Sequence, residues 1–115
     1  MARVFDDKEL MERIDNDWEF LAETVQMLSS DGRVLLKGVQ DALASGDAAD
    51  VGRKAHTLKG MISNFCSPAA HGAALAVEQL GRTGDLSAAP AAVATLAEQL
   101  DILIEQLTGF VSTKA

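Results

Sequence analysis

Apolar residues recur in steps of three and four along most of the chain, which is the spacing of amphipathic helices rather than strands. The pattern is strongest towards the C-terminus, at Val93, Leu96, Leu100, Leu103, Leu107 and Phe110. It indicates a long helix that starts near Ser87 or Pro90 and lies on the seam of an antiparallel bundle. A membrane-surface helix is disfavoured, because its polar face would be acidic and without Lys or Arg.

Capping signals divide the first half of the chain. Two pairs of residues have the spacing of a capping box, namely Asp6 with Glu9 and Asn16 with Glu19. They predict a short helix to about Ile14 and a second helix after it. The polar stretch 29–32 interrupts the second helix, and a break is favoured over a kink. A third helix follows and ends at Gly46, which suits a C-terminal cap.

Asp47 caps a fourth helix, with Asp50 three residues on, and this helix runs to about Phe65. Ser67 is the predicted N-cap of a fifth helix that has Pro68 at its first position and ends near residue 80. Both prolines of the chain can thus be placed at helix starts. Residues 81–85 are predicted to form a turn before the last helix.

Composition supports one all-α domain over residues 1–115. Tyr is absent and aromatic residues make up 4% of the chain, whereas a sandwich or barrel would have more aromatic and β-branched residues. The formal net charge of −7 argues against nucleic acid and against an anionic membrane surface as partners. No apolar run approaches the roughly 20 residues of a spanning helix. With no signal peptide and one cysteine, Cys66, the cytoplasm is the expected compartment.

The fourth helix has two distinct sides. Val51, Ala55, Leu58, Ile62 and Phe65 share one narrow arc and form its core side. Near the opposite side lie four residues that are small or polar, with Lys59 at the edge: Gly52, His56, Gly60 and Ser63. Each glycine inside a helix costs about 1 kcal/mol relative to alanine. The two glycines are one turn before and one turn after His56, so we interpret them as leaving the imidazole open to another protein.

His56 alone is compatible with a solvated or a core histidine, Lys59 with a solvated charge, and Gly60 with helix packing. Together they favour an exposed nucleophile that accepts an anionic group. Near neutral pH much of an imidazole is unprotonated and can attack phosphorus. Lys59 and Arg53 could stabilise the resulting phosphohistidine.

Other chemistries have weaker support. The only other histidine is His71, and neither an HExxH motif nor a cysteine pair is present, so no metal site is expected. No serine or cysteine has a clear partner for a hydrolytic triad. There is no P-loop or GxGxxG loop, so the phosphoryl group must come from a partner. The prediction is a phosphocarrier, not a kinase with its own ATP site.

The run His56-Thr57-Leu58-Lys59-Gly60 resembles the signature of histidine-containing phosphotransfer (HPt) domains of multistep two-component relays. The likeness extends through the preceding helix pair and continues downstream at Ala74, Val77 and Glu78. It implies a four-helix bundle with one or two additional short N-terminal helices. It also implies that His56 carries a phosphoryl group between receiver-domain aspartates, with Mg²⁺ only on the receiver and no cofactor on this chain.

The resemblance implies a hydrogen bond between Glu78 and the other ring nitrogen of His56, although an ordinary exposed glutamate is an equal alternative. Two positions depart from the family, which often has glycine where Cys66 stands and a larger aliphatic residue where Ala70 stands. These departures concern packing after the fourth helix more than the chemistry.

The expected partners are receiver domains and a hybrid sensor kinase, and a monomer is expected. Docking candidates around His56 are Arg53, Gly52, Ser63 and Asn64, with Trp18 either contributing from the second helix or packing in the core. A non-catalytic adaptor that docks a receiver or kinase is the alternative function. A helical oligomerisation module that uses the seam 93–110 is a third. The starting methionine and the caps at both ends favour a free-standing protein over an excised domain.

Overall fold

The computed structural model of the protein describes residues 2–114, and all regular structure within them is helical. The all-α prediction is therefore confirmed. One turn of 3-10 helix, Ser63–Phe65, follows the fourth helix. The six α-helices are α1 Asp7–Arg13, α2 Trp18–Met27, α3 Arg33–Ser45, α4 Ala48–Ile62, α5 Pro68–Thr83 and α6 Ala89–Ser112. None of the helices in this described part is both long and apolar enough to cross a bilayer.

Two of the predicted helix starts form as their sequences indicate. The Asp6 carboxylate accepts the amide N–H of Glu9 at 3.0 Å and starts α1. The Asp47 carboxylate accepts the N–H of Asp50 at the same distance and starts α4. Between α3 and α4, Gly46 has φ 74°, a left-handed conformation that glycine adopts without steric cost.

One predicted cap lies one residue early, and a second lies at the predicted residue but makes no side-chain cap. The N-cap of α2 is Asp17, whose carboxylate accepts the N–H of Phe20, and not Asn16. Asn16 has φ 58° and closes the turn after α1, so it cannot open the next helix. Ser67 is the N-cap residue of α5 as predicted, but its hydroxyl donates to the carbonyl of Val4 at 2.6 Å instead of accepting an amide N–H of the helix.

The predicted break after α2 is also wrong. Residues Leu28–Gly32 form a π-helical turn that joins α2 to α3 without interruption, so the two are one long helix. Leu28 and Gly32 face the core, and a Cβ added to Gly32 would lie 3.6 Å from Leu58 of α4. Counted this way, residues 2–114 contain five helices, of which α1 is the short N-terminal one.

The helices pack in chain order. α3 contacts α4, α4 contacts α5, and α5 contacts α6, which in turn contacts α2 and α3. The predicted core side of α4 and the seam of α6 are buried, apart from a partly exposed Phe110 that packs edge-on against Phe5. These contacts fill one side of α4 and leave its other side to carry the site.

Candidate functional site

His56 lies on the outer side of α4, and 60% of its side chain is exposed. The apolar stripe of the same helix, which includes Ala55 and Leu58, is fully buried. One turn further on, a Cβ added to Gly60 would have no atom within 4 Å. Periodicity thus predicted correctly which side of the helix carries the histidine, and the space beyond Gly60 is open.

The partner of His56 is Glu78, which projects from α5. The Glu78 carboxylate is fully buried, and its Oε2 lies 3.0 Å from Nδ1 of His56. The interpretation of Glu78 as an ordinary exposed glutamate is therefore wrong. An ionised carboxylate only accepts hydrogen bonds, so Nδ1 of the neutral ring carries the hydrogen and donates it. The lone pair of the ring is then on Nε2.

Two cations also contact the Glu78 carboxylate. Lys59 Nζ lies 2.7 Å from Oε1, with 21% of the lysine side chain exposed. The guanidinium of Arg82, one turn after Glu78 on α5, contacts Oε2. The ion pair with Lys59, aided by His56 and Arg82, outweighs the effect of burial and holds the pKa of Glu78 below its ordinary range. The carboxylate is thus ionised at neutral pH.

Arg82 was not among the residues singled out in the sequence. The spacing of Glu78 and Arg82 does indicate that the two are neighbours, because residues four apart on a helix lie on the same side. That signal became meaningful only once Glu78 was known to meet His56. The cluster that results is an exposed imidazole with an available lone pair, beside an ammonium and a guanidinium held by one carboxylate.

Gly52 does not have the role that the sequence suggested. Its backbone is buried against α5, where an added Cβ would lie 3.4 Å from the carbonyl oxygen of Glu78. It therefore marks a close approach of two helices and does not clear space around the ring. A groove of about 630 Å³ runs beside His56 along this helix pair, and its lining includes Gly52, Arg53, Thr57, Gly81 and Arg82.

The remaining docking candidates differ in what surrounds them. Arg53 lines the groove, is largely exposed and pairs with Asp50 at 2.7 Å. Ser63 and Asn64 are exposed at the end of α4. Trp18 packs against Phe110 of α6, with ring centroids 5.0 Å apart, so its aromatic contact is with the core cluster and not with the residues around His56.

The two departures from the family pattern have visible effects on the backbone and the core. Cys66 has φ 55°, a left-handed conformation that glycine would adopt without strain. Burial raises the pKa of its thiol above the ordinary value. Ala70 is fully buried at the start of α5, so its small side chain is part of the core packing.

Within residues 2–114 no group of three His, Cys, Asp or Glu side chains could hold a metal ion. His71 lies near Cys66 and Ser67, where it lines a separate surface pocket.

Comparison with known proteins agrees with this arrangement. The Hpt domain family model matches residues 23–109, which is more than half of the chain. A search of curated proteins returned no match. The crystal structure of histidine-containing phosphotransfer protein B (HptB) from Pseudomonas aeruginosa PAO1 is similar, with 25% identity, a TM-score of 0.81 and 98% of each chain covered. The chain therefore belongs to the Hpt domain family, and its role is histidine phosphotransfer in a two-component phosphorelay.

Proposed function

We propose that Nε2 of His56 accepts a phosphoryl group from the aspartyl phosphate of one receiver domain and passes it to an aspartate of another. One observation carries the proposal: an exposed imidazole whose Nδ1–H is held by a buried, ionised carboxylate. That hydrogen bond selects the tautomer with its lone pair on Nε2, the ring nitrogen that is not bound to Glu78.

The transfer step needs no other reactant. The Nε2 lone pair forms a bond to phosphorus while the bond from phosphorus to the aspartate oxygen breaks, and its electron pair leaves with the carboxylate. The product is an Nε2-phosphorylated imidazolium whose Nδ1–H remains hydrogen-bonded to Glu78. In the next transfer the imidazole departs as a neutral group, because the hydrogen on Nδ1 has stayed in place.

The charges around His56 suit an anionic donor. The chain as a whole has a net charge of −7, but Lys59, Arg82 and Arg53 all lie around the ring or its groove. An aspartyl phosphate and the transferring phosphoryl group are anionic, so local attraction replaces overall repulsion. We assign Lys59 and Arg82 to phosphoryl stabilisation, and Gly60 to access.

The helix contacts support an antiparallel four-helix bundle as the scaffold, with α2 and α3 together as its first helix and α1 as the additional short helix. We propose that residues 1–115 form one such domain, which acts as a cytoplasmic monomer. Its partners would be receiver domains and a hybrid sensor kinase. Mg²⁺, where the reaction requires it, would be bound by the receiver. The docking surface would surround His56 and include Arg53, Ser63 and Asn64.

The test is phosphoryl uptake from a phosphorylated receiver, with His71→Gln as the matched control for His56→Gln. The wild type and the His71→Gln variant should acquire an acid-labile, base-stable label, because both retain the reactive ring. His56→Gln should acquire none. Label on a folded His56→Gln protein would exclude His56 as the acceptor. Receiver binding without any label on the wild type would support the adaptor function instead.

Lys59→Ala tests the assignment of the ammonium to phosphoryl stabilisation. Because Glu78 and Arg82 remain, the ring keeps its hydrogen bond, and transfer should slow while the fold persists. Phosphoryl-uptake reactions quenched at successive times measure the rate of transfer, and circular dichroism reports the fold. Transfer at the wild-type rate would remove Lys59 from the mechanism.

A further inference from the structure

The backbones of α4 and α5 approach each other unusually closely at Gly52 and Gly81. A Cβ built on Gly81 would lie 2.4 Å from the amide nitrogen of Gly52, 2.5 Å from its Cα and 2.9 Å from the carbonyl oxygen of Ala48. All three atoms belong to the backbone of α4, so no side chain could turn away to make room. Only glycine at position 81 allows the two helices to lie this close.

This contact is adjacent to the reactive pair along both helices. Gly52 lies four residues before His56 on α4, and Gly81 lies three residues after Glu78 on α5. Each spacing is about one helical turn and keeps the residues on the same face. The carbonyl oxygen of Glu78 is itself 3.4 Å from the position of a Cβ on Gly52. The glycine contact and the His56–Glu78 hydrogen bond are thus neighbouring parts of one helix interface.

The two glycines are not equivalent. A Cβ on Gly52 would make ordinary contacts of 3.4 to 3.5 Å, whereas a Cβ on Gly81 requires α5 to move away by about 1 Å. Helices move as stiff units, so a displacement at Gly81 reaches Glu78 one turn away. A Nδ1–Oε2 distance of 3.0 Å, lengthened by that amount, is no longer a hydrogen bond.

We propose that the Gly52–Gly81 contact is a positioning element for phosphotransfer: it sets the distance at which Glu78 holds Nδ1–H of His56 and so keeps the lone pair on Nε2. This inference rests on the proposed function of His56. It assigns Gly81 a positioning role, which acts through Glu78 and not by contact with the reacting atoms. In this proposal Gly52 contributes the α4 side of the helix contact and does not provide access to the ring.

The test compares Gly81→Ala with Gly72→Ala, which lies in the same helix and whose added Cβ would have no atom within 4 Å. Both variants gain the same helix propensity, so only the interface differs. The first readout is the ¹⁵N NMR spectrum of the His56 ring in the unphosphorylated protein. Wild type and Gly72→Ala should show one tautomer with the hydrogen on Nδ1, and Gly81→Ala should lose that preference.

The second readout is the rate of phosphoryl uptake from a phosphorylated receiver. Gly81→Ala should be slower on the order of 10- to 100-fold, because a misplacement of about 1 Å can have effects of that size even when the mutation lies away from the reacting atoms. Gly72→Ala should react at the wild-type rate. A folded Gly81→Ala protein that keeps the Nδ1–H tautomer overturns the proposal, whatever its transfer rate.

Should Gly81→Ala fail to fold, Gly52→Val and Gly72→Val replace the pair. The γ-methyl groups of valine at position 52 reach the α5 backbone and should disturb the tautomer, whereas those at position 72 should not. An undisturbed tautomer in Gly52→Val also overturns the proposal. The ring spectrum needs no phosphoryl donor, so it decides this inference even if His56→Gln shows that another residue accepts the label.

Discussion

Replacing Glu78 by glutamine separates the two contributions of its side chain. Glutamine has nearly the same shape, and its amide oxygen can still accept the hydrogen of His56 Nδ1. It carries no charge, so the attraction to Lys59 and Arg82 is lost. Glu78→Gln therefore removes the ion pairs from a fully buried position and preserves the hydrogen bond to the ring.

The size of the loss follows from the exposure of each partner. Arg82 is 66% exposed, so water screens its ion pair with Glu78, which is worth about 0–1 kcal/mol. Lys59 is only 21% exposed and makes the close contact to Oε1, which suggests about 1–2 kcal/mol. We expect Glu78→Gln to lower the free energy of unfolding by about 2 kcal/mol at neutral pH, or Tm by roughly 8 °C.

The effect should depend on pH in a defined direction. The pKa of Glu78 is lower in the folded protein than in the unfolded chain, mainly because of Lys59. Its charge therefore contributes stability that is fully present above the ordinary glutamate pKa of 4.5. That stability is lost as the pH falls through the lower pKa of Glu78 in the folded protein. The difference in unfolding free energy between wild type and Glu78→Gln should therefore decrease in that acidic range, because the wild-type carboxyl becomes protonated and resembles the amide.

Urea unfolding followed by circular dichroism, repeated from neutral to acidic pH, measures this difference in unfolding free energy. The two proteins differ only at position 78, so the difference between their unfolding free energies reports on that side chain. Glu98→Gln on the exposed side of α6 is the control and should change stability by less than about 0.5 kcal/mol. Equal stability of wild type and Glu78→Gln at neutral pH would refute the reasoning. A difference in unfolding free energy that is the same at acidic and at neutral pH would also refute it.

Three further predictions concern the backbone around the site. Gly60→Ala should raise the unfolding free energy by about 1 kcal/mol, since the added Cβ has no atom within 4 Å. It should nevertheless slow phosphoryl transfer from a receiver, and an unchanged transfer rate would contradict a role of Gly60 in access. Cys66→Gly should be more stable than Cys66→Ala by about 1 kcal/mol in thermal unfolding, because φ is 55° there, and the reverse order would show that the strain is absent. Asp47→Ala should cost about 1 kcal/mol through loss of the cap on α4, and an unchanged Tm would contradict that estimate.

Local interactions explain most of what was predicted correctly about the helices. The caps at Asp6 and Asp47 and the left-handed turn at Gly46 depend on residues within three or four positions of each other. The capping-box spacing to Glu19 predicts Asn16 as the cap of α2, whereas the cap is Asp17, one residue later, whose side chain caps equally well. The choice depends on how the chain leaves α1, where the N–H of Asn16 donates to the carbonyl of Met11.

The continuity of α2 and α3 is an example of packing that overrides local preference. Ser, Asp and Gly in residues 29–32 disfavour a helix interior. Leu28 is nevertheless fully buried, and Gly32 packs near Leu58 of α4, so tertiary contacts hold the segment in a π turn. No pattern within the segment itself reports those contacts, since they come from a helix some 25 residues away in the chain.

The sequence by itself determined that the chain is helical, where most helices begin, and that His56 and Gly60 lie on the exposed side of α4 with Lys59 at its edge. These properties depend on periodicity and on neighbours within one or two turns. Only the tertiary structure decided that Glu78 is buried beneath His56, that Arg82 joins Lys59 on its carboxylate, and that Gly52 faces Gly81. The physical reason is that burial, ion pairing and backbone contact between α4 and α5 depend on where the second helix lies, which the residues of one helix do not specify.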